Sequence, residues 1–398
     1  MAFLHGIEHL NLAADMRPVN DVVTAVIGLI GTADGTADIN TLYLCKNEKD
    51  DAVFGNEGTI PESLKAIRLQ SSTRGSALVF VISVGTQADT ITGGMIVGEV
   101  SATGERTGLK LFETARGRYG FEPMIFIAPH YSALSVVKSE LQAIVAKTEA
   151  MAYIDTPDGF TFDDAMTSRG VGGEFANLDE GQKLLFPHFL VGNPDYVDGG
   201  TEPKFLTVPM SATAAGLRAK VDLELGWHQS SSNNRYYGVE GMDVDLTFSL
   251  GDPGCEANLL NSVGIVTAVN MFGNGINEWG NYSTGFPGNT ALEAFECVRR
   301  TRAIMKRAIE QACVPFIDRP FIQANVDAIR STVNVYLNGL VAGGELVAGT
   351  CLFKPENNPV AELAKGHLTF DIEFTPAVPM QELTFTYKID LSQLSSIA

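Results

Sequence analysis

The chain has 398 residues, 45% of them apolar and 19% charged, with a formal net charge of −19. That length exceeds what one hydrophobic core usually serves, and the composition is that of a folded soluble chain, so disorder is excluded and two or three domains are expected. The acidic balance opposes contact with nucleic acid or an anionic membrane, which need a basic surface to neutralise phosphate.

Residues 1–21 carry few patterned apolar positions and end at Arg17-Pro18, so they read as an arm that something outside must order. They lack the basic region and long apolar core of a secretory signal. The longest apolar run, near Val22 to Ile30, is too short to span a bilayer, and synthesis in a cytoplasm is expected. Residues 22–90 begin the core: a buried strand in V-V-T-A-V-I-G-L-I-G, a short segment at Leu42 to Cys45, a helix after Pro61 and a strand at Leu78 to Val84.

Residues 91–270 alternate strand and helix. Met124 to Ala128 reads as a strand, Leu134, Val137, Leu141, Ile144 and Val145 form one stripe of a helix, and Met151 to Ile154 reads as the next strand. Strand, helix and strand over about thirty residues is a right-handed crossover, which predicts a largely parallel sheet. Residues 271–380 change character: a helix from Ala291 to Cys313 stopped by Pro315, then a helix opened by Pro320 and ending near Asn338-Gly339, then strands. The fold class expected is α/β and α+β in several domains with extended terminal arms.

Two segments near the carboxyl end alternate without a fault. His367 to Phe374 sets Leu368, Phe370, Ile372 and Phe374 on one face, and residues 381–398 contain Leu383, Phe385, Tyr387, Ile389 and Leu391 in the same rhythm. Both read as half-buried strands. Pro376 and Pro379 between them forbid a tight hairpin, so the second strand is free to pair elsewhere. Burying four large side chains stabilises by roughly 6 to 10 kcal/mol, while ordering nine residues costs about 1 to 2 kcal/mol each. Such a strand gains by joining a sheet that already exists, in its own subunit or in a neighbour.

Arg299, Arg300, Arg302, Lys306 and Arg307 crowd onto one arc of the first C-terminal helix, opposite Val298, Ile304, Met305 and Ala308. The apolar side is expected to dock and the basic side to face outward, either solvated and paired with Glu293, Glu296 or Glu310 or set against an acidic partner. No phosphate loop, zinc-protease helix or nucleophile elbow is present. His130 after the Ala128-Pro129 turn could join Asp155 and a serine as a hydrolase site, but no nucleophile motif accompanies it. His228, in Gly226-Trp227-His228-Gln229, reads as a loop or contact residue. His5 and His9 lack a ligand cluster, so no metal or cofactor is expected. The five cysteines, odd in number and without zinc spacing, read as reduced and mostly buried thiols.

Ser211 to Asn233, S-A-T-A-A-G-L-R-A-K-V-D-L-E-L-G-W-H-Q-S-S-S-N, resembles a segment of the contractile tail sheath proteins of myophages and R-type bacteriocins. Gly104-Glu105-Arg106-Thr107-Gly108-Leu109, Ala128-Pro129, Asn258-Leu259-Leu260-Asn261, Trp279-Gly280-Asn281 and Phe374-Thr375-Pro376 with Val378-Pro379 follow in that family's order and spacing. The chain departs from it at Tyr282-Ser283, where relatives commonly have Arg-Thr, and at Val314 to Pro320, where they often show Trp-Ala-Val-Asp. The resemblance implies a central domain of subtilisin-like topology. It further implies a subunit that stacks with itself as hexameric rings in a helical array around a tail tube, between baseplate and tail terminator proteins, in the tail of a virion. Such a sheath contracts without nucleotide to drive the tube through a cell envelope. Terminal arms that weave strands into neighbours are also implied, which would place Leu383, Phe385, Tyr387, Ile389 and Leu391, with Phe3 and Ile7 of the amino-terminal arm, in intersubunit strand exchange. The basic arc would then meet the tube or the next subunit. A static tail or capsid-type protein and an α/β hydrolase are the competing classes.

Overall fold

The computed structural model describes residues 23–391, so the amino-terminal arm, with Phe3, Ile7, His5 and His9, lies outside the described residues. The strands in chain order are β1 (Val26–Gly31), β2 (Leu42–Cys45), β3 (Leu78–Ser83), β4 (Ile125–Ile127), β5 (Met151–Asp155), β6 (Gln182–Leu185), β7 (Phe189–Gly192), β8 (Phe205–Val208), β9 (Gly241–Met242), β10 (Ile265–Asn270), β11 (Ile276–Trp279), β12 (Leu346–Leu352) and β13 (Asp371–Pro376). The α-helices are α1 (Glu48–Asp51), α2 (Thr59–Leu69), α3 (Gly93–Val97), α4 (Ala115–Tyr119), α5 (Ser135–Thr148), α6 (Phe162–Arg169), α7 (Met210–Glu224), α8 (Glu256–Ser262), α9 (Glu296–Cys313), α10 (Gln323–Gly343) and α11 (Val360–Leu363).

A strand whose every residue is apolar can only sit where both faces of a sheet are covered, and β1, with no exposed residue, lies in the interior of an eight-stranded sheet. The order is β11-β10-β6-β5-β4-β1-β3-β2. Six strands run parallel, and antiparallel β2 and β11 close the two edges. The expected crossover is present: β4 and β5 pair in parallel around α5, with Ile125 opposite Met151. Alternation along β1 sends Ile27 and Leu29 to a layer containing α2 and α7, and Val26 and Ile30 to a layer containing α5. A three-stranded antiparallel sheet, β8-β7-β9, stands beside this core.

The sheet crosses two expected boundaries. Strands β1 and β3, from residues 22–90, lie within it, and it continues past residue 270 because β10 and β11 pair as a hairpin, Thr267 opposite Trp279. The C-terminal part has its own apolar cluster, built from Ala303, Ile304, Met305 and Ala308 of α9, Val333, Leu337 and Leu340 of α10, and Leu346 and Cys351 of β12.

Several element ends differ from expectation. Helix α9 starts at Glu296, since Leu292–Ala294 form a separate 3₁₀ turn and Phe295 is extended, its ring stacked on Tyr282. Helix α10 begins at Gln323 and runs through Asn338 and Gly339, because continuing buries Leu340; it stops at Gly344, left-handed at φ 84°. The His367 to Phe374 strand shifts to Asp371–Pro376, paired with β12. Upstream, Thr369 gives both backbone groups to the amide of Asn358, at 2.8 and 2.9 Å, which removes it from the ladder. The Leu383 to Leu391 segment forms no strand and is not half-buried: its five large side chains are 65–90% exposed.

Helices α2 and α7 approach so closely that a Cβ added at Gly216 would stand 2.9 Å from the Ile67 backbone. Alanine favours a helix over glycine by about 1 kcal/mol, whereas overpacking a filled core costs about 1 to 3 kcal/mol. Gly216→Ala is therefore expected to lower the melting temperature of the purified chain despite its better helix propensity; calorimetry showing an unchanged or raised melting temperature would refute this packing argument.

Candidate functional site

Helix α9 lies across the amino ends of the parallel strands, and both of its sides are covered. Its apolar stripe packs on α10 and β12, and its basic arc meets carboxylates that precede strands of the sheet. Arg299 reaches Glu180 at 3.0 Å, Lys306 reaches Glu149 at 3.0 Å and Arg307 reaches Glu122 at 3.1 Å. Arg300 pairs with Asp222 on α7. The expectation of an outward basic face is thus corrected: Arg299 and Arg300 are buried, Arg302 and Arg307 are half-buried, and only Lys306 is exposed. The anticipated pairings are replaced as well, with Glu310 bonded to Arg116 and Glu296 turned inward. An arc of charge at helical spacing marks a face that needs carboxylates, and here the molecule's own sheet supplies them.

Glu296 opens a cluster of six fully or nearly fully buried charges. Lys183 of β6 donates to Glu278 of β11 at 2.7 Å and to Glu296 at 2.8 Å. Tyr153 donates to Glu296 at 2.5 Å, and Tyr236 and Ser231 donate to Glu278 at 2.6 and 2.5 Å. Arg218 donates to Asp222 one turn along α7 at 2.9 Å, and Arg300 closes the group from α9. Three cations face three carboxylates, so the burial is neutral. Burial opposes the charge of Glu296, but Lys183, Arg218 and Arg300 outweigh it and hold its carboxyl below the usual range. Burial likewise opposes the charge of Lys183, and Glu278 and Glu296 outweigh it and raise its pKa. The sequence reading overlooked this cluster. The available signals were a lone lysine in the apolar run Gln182-Lys183-Leu184-Leu185 and the Arg218/Asp222 pair in an alanine-rich helix.

At the opposite, carboxyl end of the strands, Asp155 is held by serines. Ser211 donates its backbone N–H at 2.8 Å and its hydroxyl at 2.5 Å, and Ser132 donates its hydroxyl at 3.2 Å. His130, left-handed at φ 66°, turns to Glu62 at 3.1 Å, and His188 bonds the Thr156 carbonyl at 2.8 Å. A nucleophilic serine must hand its proton to a base that can release it again. Here both hydroxyls end on a buried carboxylate with no imidazole between them, so His130, Asp155 and a serine are not assembled as a triad.

Trp227 packs into the C-terminal cluster and Trp279 stands edge-on to Phe248, both as packing residues. His228 is half-buried beside Gln229, and burial lowers its pKa. Among the described residues no group of His, Cys, Asp and Glu could hold a metal, and no helix is long and apolar enough to cross a membrane. The five thiols are free, with Cys313 half-buried and the others buried.

Large exposed apolar side chains concentrate late in the chain. About half of those among the described residues fall between Val314 and Leu391. Phe385, Tyr387 and Ile389 are 70%, 90% and 86% exposed, more apolar surface than one segment leaves open without a use for it.

Lys183→Met leaves three buried carboxylates against two cations and takes from Glu278 and Glu296 the ammonium that both bond, and a loss of about 3 to 5 kcal/mol at pH 7 is expected from denaturant titration. In the parent chain the lowered pKa of Glu296 contributes stability that is complete above its unfolded value and lost only as pH falls through the folded one. In the variant the unpaired carboxyls should bind protons more readily than in the unfolded chain, so the deficit should shrink between pH 7 and pH 5. A deficit that is constant over that range would show that the cluster does not act through charge.

Residues 104–284 match the family described as phage tail sheath protein central domain, and residues 290–390 match phage tail sheath C-terminal domain. The chain is 30% identical over 480 aligned positions to the tail sheath protein of Burkholderia phage BcepMu, covering 99% of this chain and 98% of that protein. It is 32% identical over 389 positions to the major tail sheath protein of Serratia phage KSP20, covering 96% and 94%. Its fold is similar to the helical sheath of the anti-feeding prophage in the contracted state, with a TM-score of 0.71 at 16% identity over 98% of this chain and all of that one. It is also similar to the sheath of the PVC extracellular contractile injection system in its contracted state, with a TM-score of 0.69 at 14% identity over 99% of both chains. With both halves matched in order and near-complete coverage by relatives at this identity, the chain belongs to the phage tail sheath family.

Proposed function

We propose that this chain is the structural subunit of a contractile tail sheath, which polymerises around a tail tube in an extended, metastable arrangement and shortens to push the tube through a target envelope. The observation that carries the reading beyond family membership is the Leu383 to Leu391 segment, with five alternating apolar side chains exposed and no ladder among the described residues. A segment of that pattern suits addition to an existing sheet in another copy. The two-stranded β12-β13 sheet, on the same C-terminal part, presents edges to which a strand can add. Phe3 and Ile7 of the amino-terminal arm are proposed to take part in the same exchange.

Work is then drawn from repacking between subunits, and turnover of a bound substrate has no part in it. Each copy needs only a small free-energy difference between two lattices, because many copies move together. Sheath rings of six subunits, a baseplate below and a terminator above are the partners proposed, with assembly in a host cytoplasm and residence in the virion tail. Of the basic arc, the half-buried Arg302 and the exposed Lys306, itself paired with Glu149, are proposed to meet a tube or a neighbouring subunit; the remaining three are buried or half-buried against internal carboxylates. A static protein that makes one lattice would share the exposed segment, and the two readings part on whether a second, shorter lattice exists.

Removing residues 381–398 should abolish striated cylinders in electron micrographs while leaving the melting temperature of the monomer within a few degrees of the full chain, since its described residues, 381–391, are all exposed. Cylinders of normal length and pitch from the truncated chain would overturn the strand-exchange reading.

A further inference from the structure

The turn between β10 and β11 presents a phenylalanine where the backbone does not favour one. Phe272 lies at φ 50°, a left-handed conformation that glycine or asparagine adopts readily and a bulky side chain rarely does. Its neighbours Gly273 and Asn274 would fit that position better, yet the ring stands at the tip, 76% exposed. The turn is firmly built: Met271 N–H donates to the Gly275 carbonyl at 3.1 Å, Asn274 N–H to the Met271 carbonyl at 2.9 Å and Gly273 N–H to the Asn270 side chain at 3.1 Å. Met271 packs back beside Trp279, which leaves Phe272 as the exposed apolar side chain of the turn. Backbone strain and an exposed aromatic at one residue point to a contact outside the subunit.

A cleft able to receive such a ring lies beneath α9. It has a volume of about 280 Å³, with Leu109, Phe112, Phe126, Ile144 and Ala303 among its lining residues. A cavity of about 150 Å³ already holds a benzene ring. The charges at its rim are paired, Lys147 with Glu113 at 2.7 Å, Lys306 with Glu149 and Arg307 with Glu122. A rim of matched charges has no preference for an ion, and residues 270–275 of the turn carry no ionisable side chain. The two features lie at opposite ends of the parallel sheet. The turn follows the carboxyl end of β10, whereas the cleft opens where Glu122 and Glu149 precede β4 and β5, strands that run the same way as β10. Knob and hole cannot meet within one subunit, and a contact between two different patches is heterologous, the kind that builds open stacks.

We propose that Phe272 of one subunit seats in the cleft beneath α9 of the next copy, joining subunits head to tail; this rests on the sheath reading above. Phe272→Cys combined with Lys147→Cys at the rim should give, on mild oxidation of assembled sheaths by oxygen, a ladder of covalent oligomers, with neither single variant giving one. Phe272→Ser should raise the concentration needed for assembly roughly tenfold or more, the loss expected from one buried aromatic, without changing the melting temperature of the monomer. Normal sheaths with no ladder, or Phe272→Ser assembling at the parental concentration, would overturn the knob while leaving the sheath reading intact. Dimers from Phe272→Cys alone would overturn it by showing a symmetric contact. Failure of the unsubstituted chain to form cylinders, alone or with tube protein, would overturn both readings.

Discussion

The contact on which the rest of the subunit depends is the buried charge cluster that ties α9 to the sheet. Lys183 and Glu278 lie on neighbouring parts of the sheet, Arg218 and Asp222 on the covering helix α7, and Glu296 and Arg300 on α9. Three layers therefore meet in one neutral, buried group. Breaking one partner out of such a group leaves an uncompensated charge in a low-dielectric interior, so the junction resists partial opening. It is correspondingly poor as a hinge. A subunit that transmits force between neighbours benefits from having its compliance elsewhere, in terminal segments such as Leu383 to Leu391, whose large apolar side chains are exposed.

The same cluster explains the fate of the basic arc. A helix placed at the amino ends of parallel strands meets the carboxylates Glu122, Glu149 and Glu180 that precede them. Each arginine so engaged is unavailable to a partner. The acidic exterior and the basic interior seam are then two sides of one distribution: the chain has 28 basic residues, and a good share of those on α9 are spent on its own domain junction. The opposite end of the sheet shows a different economy, with Asp155 held by Ser132 and Ser211 in place of a cation. Burial raises the Asp155 pKa, and the Ser211 bonds oppose it. At both ends these carboxylates are thus engaged internally, and large apolar side chains are left exposed late in the chain and at the β10–β11 turn.

Much of the parallel core was legible because its signals are local. Unbroken apolar runs gave β1 and β3, and the three-and-four spacing of Val137, Leu141, Ile144 and Val145 gave α5 with the strands on either side. The end of α10 was misplaced because Gly339 resembles a cap, and only the burial of Leu340 shows why the helix goes on to Gly344. The strand at His367 was misplaced because Asn358, eleven residues away, takes the backbone of Thr369. The alternation from Leu383 to Leu391 signals a half-buried strand, but the segment is exposed and unladdered among the described residues, because alternation marks a face suited to a sheet and does not supply the sheet.

Periodicity and composition by themselves determined that this is a multidomain α/β chain with a largely parallel sheet and a helical, strand-ended C-terminal part. The order of short motifs from Gly104 to Pro379 determined the family. Both follow from the sequence because apolar spacing acts over a few residues and motif order is written along the chain. The tertiary structure alone decided where charge goes, because ion pairing depends on which segments meet in space: Arg300 lies 78 positions from Asp222 and Glu296 lies 113 from Lys183. It decided as well which apolar residues stay uncovered, since exposure is a property of everything packed around a side chain.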